Sequence, residues 1–232
     1  MKKFFLMLCF IKIMMWSWTC PAMTQKTIDI TQEYPHTIGQ YFQVYRTTDA
    51  PMDFSTALEA YQNKLFSPAH HSIINFGIDS KPIWLALSVN NSGQATVNRN
   101  LLFETSWLDK IDIYFLQHNQ LINTSHLGDN EKFSQRSLNH RFFVANHHFE
   151  PGNTIILIRI ASVDAMVLPI YFMSNVDLDS RKTLQSYSYG FVYGAILGLV
   201  AYNLMLYLGL RSSLYLYYSI YLLSFLILNI SY

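Results

Sequence analysis

The chain has 232 residues, 51% hydrophobic and 13% charged, with a formal net charge of +1. Its charges are unevenly spread: Met23–Lys182 carries 15 acidic and 12 basic side chains, whereas residues 183–232 carry only Arg211. This near-neutral first part lacks the clustered basic face of a nucleic-acid binder. Both cysteines, Cys9 and Cys20, lie at the extreme N-terminus, so no thiolate is left for a metal site or nucleophile further on.

Met1-Lys2-Lys3 followed by the apolar run Phe4–Trp18 has the form of a secretory signal peptide, with Cys20-Pro21-Ala22 as its small-residue cleavage region. Residues 1–22 are therefore expected to be a signal peptide, and residues 23–180 an extracytoplasmic domain. Lys12 within the apolar run and Pro21 beside the cut depart from the pattern, which leaves an uncleaved anchor as the alternative. Trp18-Thr19 before Cys20 suits a lipoprotein site poorly. A domain of this length buries enough surface to fold without disulfides.

Thr27–Gln40 reads as a lead-in. Tyr41–Arg46 alternates apolar and polar residues, the period of a half-buried strand. Asp53–Lys64 is the one helical stretch, with Leu58, Tyr61 and Leu65 at helical spacing and Asp53 or Ser55 as N-cap. Strands then follow in series. Ile83–Val89 puts Ile83, Leu85, Leu87 and Val89 on one face, and Asn90-Asn91-Ser92-Gly93 reads as a turn. Val97–Glu104 and Ile111–Leu116 come next, then a tight hairpin at Asn119-Gln120 into Leu121–Ser125. Arg141–Ala145, Thr154–Ile160 and Leu168–Met173 complete the set, with turns at Gly128-Asp129-Asn130 and Glu150-Pro151-Gly152-Asn153. Seven to nine short strands with turn residues between them predict an all-β fold, an antiparallel jelly roll or β-sandwich.

Ser174–Ser188 reads as a short polar connection into a truncated transmembrane region, residues 187–232. Residues 189–210 and 214–232 are each about the ~20 apolar residues that a spanning helix needs, so two transmembrane α-helices are expected. Gly190, Gly194 and Gly198 recur every four residues, a spacing that lets a second helix approach closely. Asn203 and Asn229 are polar at membrane depth and should face other helices. Tyrosines crowd the helix ends, as expected of an interfacial belt. Arg181, Lys182 and Arg211 would by count favour the opposite orientation, but the signal peptide places residues 23–188 outside the membrane.

Several segments resemble one family, the bacterial seven-transmembrane receptors with diverse intracellular signalling modules. FGIDSKPIWLALSVNNSG (Phe76–Gly93), SWLDKIDIYFL (Ser106–Leu116), LGDNEKFSQRSLNHRFFV (Leu127–Val144) and TIILIRIASVDAMVLPIYF (Thr154–Phe172) resemble its extracellular domain of the second type, which is similar to carbohydrate-binding jelly rolls. Tyr189–Phe225 resembles the start of the seven-helix region, with a glycine-spaced first helix, Tyr202-Asn203 and a tyrosine-rich second helix. The resemblance implies an inner-membrane receptor whose sensor domain binds a small molecule such as a carbohydrate and passes the signal to transmembrane helices. Other such helices, or a second copy of the chain, would be its partners. Helices three to seven and an output module are absent from this sequence, so a receptor fragment is expected. The alternative is a membrane-anchored binding or scaffold protein without signalling output.

Ligand-binding candidates follow from side-chain chemistry. Trp107, beside the turn-like Leu108-Asp109-Lys110, offers a stacking face for a sugar ring. Arg136, Arg141 and Arg159 fall in the matching segments and suit carboxylate or hydroxyl recognition, with structural salt bridges as the other reading. Asp112 is a further candidate on the same surface. Trp84 is either a second buried face or a stacking surface. The pairs His70-His71 and His147-His148 would point to opposite faces of a strand, so neither is a ready chelate. No phosphate loop, nucleophile elbow or metal signature is present. The expectation is a non-enzyme without cofactor or metal.

Overall fold

The computed structural model describes residues 26–47, 52–78, 81–131 and 140–231. The expected signal peptide and Arg136 lie outside these residues. Twelve strands are described: β1 (Ile28–Asp29), β2 (Gln43–Arg46), β3 (Ser67–Pro68), β4 (Ile74–Asn75), β5 (Ile83–Asn91), β6 (Val97–Phe103), β7 (Lys110–Gln117), β8 (Gln120–Leu127), β9 (Phe143–Phe149), β10 (Gly152–Ala161), β11 (Val167–Leu168) and β12 (Ile170–Met173). Three α-helices accompany them: α1 (Phe54–Gln62), α2 (Asn175–Leu210) and α3 (Ser213–Ser231).

The larger sheet runs β3-β2-β5-β10-β7-β8, with β1 pairing in parallel with the far end of β5 at Val89 and Asn90. The smaller sheet is β12-β6-β9, and β11 pairs only with β4. The two main sheets enclose one core: Ile83, Leu85, Leu87 and Val89 of β5 with Ile111, Ile113 and Phe115 of β7 meet Leu101, Phe103, Phe143, Phe149, Ile170 and Phe172. Each of these side chains is fully or almost fully buried. At about 1.5–3 kcal/mol per large apolar side chain, this layer supplies the main favourable term of folding. The fold is thus the antiparallel β-sandwich that the alternation predicts.

The outer face of the large sheet is also apolar at its centre. Trp84, Ala86, Leu116 and Leu157 pack there against Ala57, Ala60 and Phe66, so Trp84 belongs to a second buried layer. Asp53 caps α1 by accepting from Thr56 N at 2.9 Å, as the sequence suggests. The buried stripe of α1 is Ala57 and Ala60, however, and Leu65 lies beyond the helix and is exposed. Small residues bring the helix down onto a sheet already filled by the Trp84 ring.

Besides shifted strand ends, such as β9 at Phe143–Phe149 and the pairing of Asn90-Asn91 with Gly152-Asn153, three local outcomes differ from the sequence reading. The β7–β8 turn is His118-Asn119, one residue earlier than expected, and both residues have positive φ, 51° and 63°. That is the mirror-image two-residue turn whose twist matches a hairpin. Leu168–Met173 is not one strand. Pro169, which has no N–H to give a ladder, separates β11 from β12, and the two join different sheets. The third difference concerns Ser174–Ser188. This segment is not a loose connection but the first part of α2, continuous with the apolar helix for 36 residues. Ser174 and Asp177 form a reciprocal capping box that starts it.

Both α2 and α3 contain a stretch long and apolar enough to cross a membrane. They pack as a hairpin, with Asn203, Ser219, Leu222 and Leu226 buried between them. Ser219 donates to the Val200 carbonyl across the pair, and the Asn203 amide donates back to Leu199 O at 2.8 Å. Asn203 thus satisfies itself within α2 while lying in the helix contact. Gly190, Gly194 and Gly198 have no atoms near the positions their side chains would occupy, so this row faces away from α3.

Candidate functional site

The junction between sandwich and helix is built from both. Leu178 is buried among Leu102, Val144 and Met173 on the outer face of the small sheet. Asn100 Nδ2 donates to Asn175 Oδ1 at 2.6 Å, while Asn146 donates to Asn98 and Asn100, each at 2.8 Å. Further along the helix, one guanidinium nitrogen of Arg181 donates to both carboxylate oxygens of Glu104, at 2.9 and 2.8 Å. The same guanidinium lies 4.1 Å above the Tyr171 ring, and Gln185 adds a 3.3 Å bond to Glu104. A charge-assisted bond on an aromatic face is stronger than an isolated surface pair. Next comes Arg141, its guanidinium 5.1 Å over the Tyr189 ring at the start of the apolar stretch.

A second polar feature crosses the outer face of the large sheet. Register places Tyr45, Trp84, Arg159, Asp112 and His126 side by side on five neighbouring strands, β2, β5, β10, β7 and β8. Asp112 is 3% exposed and collects three partners: His126 Nδ1 at 2.7 Å, Arg159 Nη1 at 3.3 Å and Lys110 Nζ at 3.7 Å. Trp84 Nε1, in the same row, is buried without a hydrogen-bond partner.

A groove of about 470 Å³ opens along β2 and the β3–β4 segment, lined by Tyr45, Arg46, His70, His71, Asn75 and Phe76 among others. Arg46 lies 5.1 Å over the Phe76 ring. Planar cation, aromatic face, imidazoles and apolar walls are together the makings of a small-ligand site. A further cavity of about 360 Å³ lies where the N-terminal segment meets α2, between Glu33, Tyr34, Arg99, Asp177, Arg181 and Leu184.

The residues singled out in the sequence do not converge. Asp112 sits within the ion network on the large sheet. Arg141 is on the opposite side of the sandwich, against α2. Trp107 is at the loop end, where its Nε1 donates to Ala165 O at 2.9 Å. Arg159 joins Asp112, as the salt-bridge reading had it. His147 and His148 do point oppositely: His147 is buried against Phe115 with ring centroids 4.0 Å apart, and His148 is exposed. Burial, and then the charge of His148, holds the His147 imidazole down at about 4. Among the described residues no three His, Cys, Asp or Glu side chains are grouped to hold a metal.

Arg46, Phe76 and the Glu104–Arg181–Tyr171 junction were missed in the sequence. Arg46 had only its place at the end of a strand as a signal. The junction had none, because its three members are separated by 67 and 10 residues in the chain.

No curated protein matches the chain. Solved structures that overlap it include two family 35 carbohydrate-binding modules. One, from an environmental isolate, is 13% identical with a TM-score of 0.27, covering 42% of this chain and 70% of its own. The other, from Clostridium thermocellum, is 9% identical with a TM-score of 0.26, covering 45% of this chain and 89% of its own. Overlap this slight carries no argument, and the sandwich rests on the strand pairing described above. The family model for the 7TMR-DISM extracellular 2 domain, by contrast, matches residues 39–174, which begin just before β2 and end at the cap of α2. The chain therefore belongs to the 7TMR-DISM extracellular 2 family, as a membrane protein with an extracytoplasmic domain.

Proposed function

We propose that this chain is the ligand-sensing portion of a signalling receptor in the bacterial inner membrane, with residues 23–188 on the periplasmic side. The domain takes a small molecule, a carbohydrate or a small organic acid, in the groove beside Arg46, and is not catalytic. The observation that carries the reading is α2: one uninterrupted helix that is capped by Ser174, docked on the small sheet through Leu178 and Arg181, and apolar from Tyr189 onward. A helix without a break between domain and membrane transmits a shift of its docked turns along its whole length. Ligand binding needs only to favour one docked arrangement over another to bias the helices beyond it.

The test uses the full chain in nanodiscs. Galactose, glucuronate and citrate are first screened for a rise in melting temperature, which binding to the folded state produces by mass action. For any that binds, amide exchange of Leu178–Gln185 is then compared with and without it. A sensor changes the protection of these amides. A compound that raises the melting temperature and leaves them untouched would identify a plain anchored binding module instead. None of the three raising it would refute the ligand class.

A further inference from the structure

We infer that the loop end of the sandwich rests on the bilayer surface, with Ile78, Trp107 and Val163 seated among the lipid headgroups. The inference rests on α2 spanning the membrane and is independent of what the domain senses.

Direction comes first. The contacts of α2 with β6 and the residue after it begin at Asn100–Asn175 and end at Glu104 with Arg181 and Gln185. Four residues of strand span about 13 Å at ~3.3 Å per residue. Six to ten residues of helix span about 9–15 Å at ~1.5 Å per residue. The two lengths agree only if helix and strand run nearly parallel and in the same sense. Arg141 and Tyr189 extend the match: Arg141 precedes Phe143, the partner of Phe103, by two residues, or about 7 Å of extended chain. Tyr189 follows Gln185 by four residues, or about 6 Å of helix. The helix therefore enters its apolar stretch beside the end of the sandwich where β6 finishes and β9 and β12 begin.

The loops at that end carry three exposed apolar side chains. Val163 is 70% exposed, Ile78 76% and Trp107 42%. Hydrogen bonds tie their three loops into one surface: Trp107 Nε1 to Ala165 O, Met166 N to Gly77 O, and Val163 N to Asp109 Oδ2 at 2.8 Å. Asp109 also accepts from Ser162 at 3.0 Å, so this carboxylate is spent on holding the loop. Glu104 is likewise occupied by Arg181. Lys110 and Arg141 are exposed cations at the same end, with Asp129, Glu131 and Asp164 as acids. Mixed charge around apolar tips suits a zwitterionic headgroup layer rather than the hydrocarbon core. Trp107, with its N–H already bonded, presents the kind of ring that settles at such an interface. Continuity with the membrane helix thus selects the bilayer as the partner of this surface.

The experiment places nitroxide labels, one at a time, at Ile78, Val163, Gln94 and Leu204 of the full chain with Cys9→Ser and Cys20→Ser, in nanodiscs of palmitoyl-oleoyl phosphatidylcholine. Collision with dissolved oxygen and with an aqueous nickel chelate is read by power saturation. Gln94 lies in the exposed turn before β6, at the opposite end of the sandwich, and Leu204 lies on the exposed side of α2. The expected result is a nickel collision rate at Ile78 and Val163 several-fold below that at Gln94, with oxygen collision retained. Equal nickel access at Ile78, Val163 and Gln94 would overturn the inference. So would low access to both reagents, which marks protein contact. Nickel access at Leu204 would overturn the spanning helix itself, and is distinguishable because the other failures leave Leu204 lipid-exposed.

Discussion

Acidification should weaken the sandwich through His147, and His147→Phe should remove that part of the response. The imidazole is 7% exposed, stacked on Phe115 at 4.0 Å and edge-on to Phe149 at 4.8 Å, and its Nε2 has no hydrogen-bond partner. Desolvation, with the charge of His148 second, lowers it to about 4. An unfolded histidine titrates near ~6.5. Between these values the unfolded chain binds more protons than the folded one, so stability falls as pH falls and the loss is complete below the folded value. From pH ~7 to pH ~5 the integrated contribution is about 2 kcal/mol. For a domain of this size that amounts to about 4–8 °C in melting temperature. Intrinsic fluorescence melting of the full chain in detergent at both pH values would read it. Carboxylates also titrate over this range, so the informative quantity is the wild-type loss minus the His147→Phe loss. Phenylalanine keeps the stacking and cannot be protonated. Equal losses in both proteins would refute the reasoning, because His147 would then be free to take up its proton in the folded state.

Three other outcomes are expected. Leu178→Ala should cost about 2–3 kcal/mol at the helix junction, seen as faster amide exchange across Asn175–Gln185 with β5 and β10 unchanged; uniform loss across the sandwich would refute a local dock. Asp112→Asn should destabilise by about 1–3 kcal/mol in urea melts, because Arg159 loses the carboxylate that offsets its partial burial, while exposed His126 and Lys110 lose little. Gly128→Ala should cost about 1–3 kcal/mol by the same assay. Its φ is +138° and an added Cβ would run into the Asp109 carbonyl, so a variant that melts like wild type would show the turn to be adaptable.

Legibility of the fold followed burial. The alternation in Ile83–Val89 and Ile111–Leu116 reports which side of a strand meets the other sheet, because a strand with one apolar face has only one way to hide it. The same pattern could not say whether Trp84 was exposed, since a side chain on the second face is buried only if something covers it. Here α1 does. Nor could period-two alternation reveal that Pro169 divides one apolar run between two sheets.

The candidate site was less legible for a geometric reason. Trp107, Arg141 and Asp112 are each plausible ligand residues by type, and nothing in their spacing tells that they occupy three separate regions. Arg46 and Phe76, or Glu104, Tyr171 and Arg181, become sites only when strands from distant parts of the chain are set in register.

What the sequence determined by itself was local or compositional: an all-β domain, apolar C-terminal helices, and a family, all read from periodicity and order. Tertiary structure alone decided that the polar stretch Ser174–Ser188 is helix rather than linker. Its side chains have few apolar positions to announce a helix. Leu178 and Arg181 hold it against the small sheet, and the capping box starts it within hydrogen-bonding reach of Asn100. That docking is why the domain meets the membrane helix as one continuous piece, and why the direction of the sandwich relative to the bilayer can be read at all.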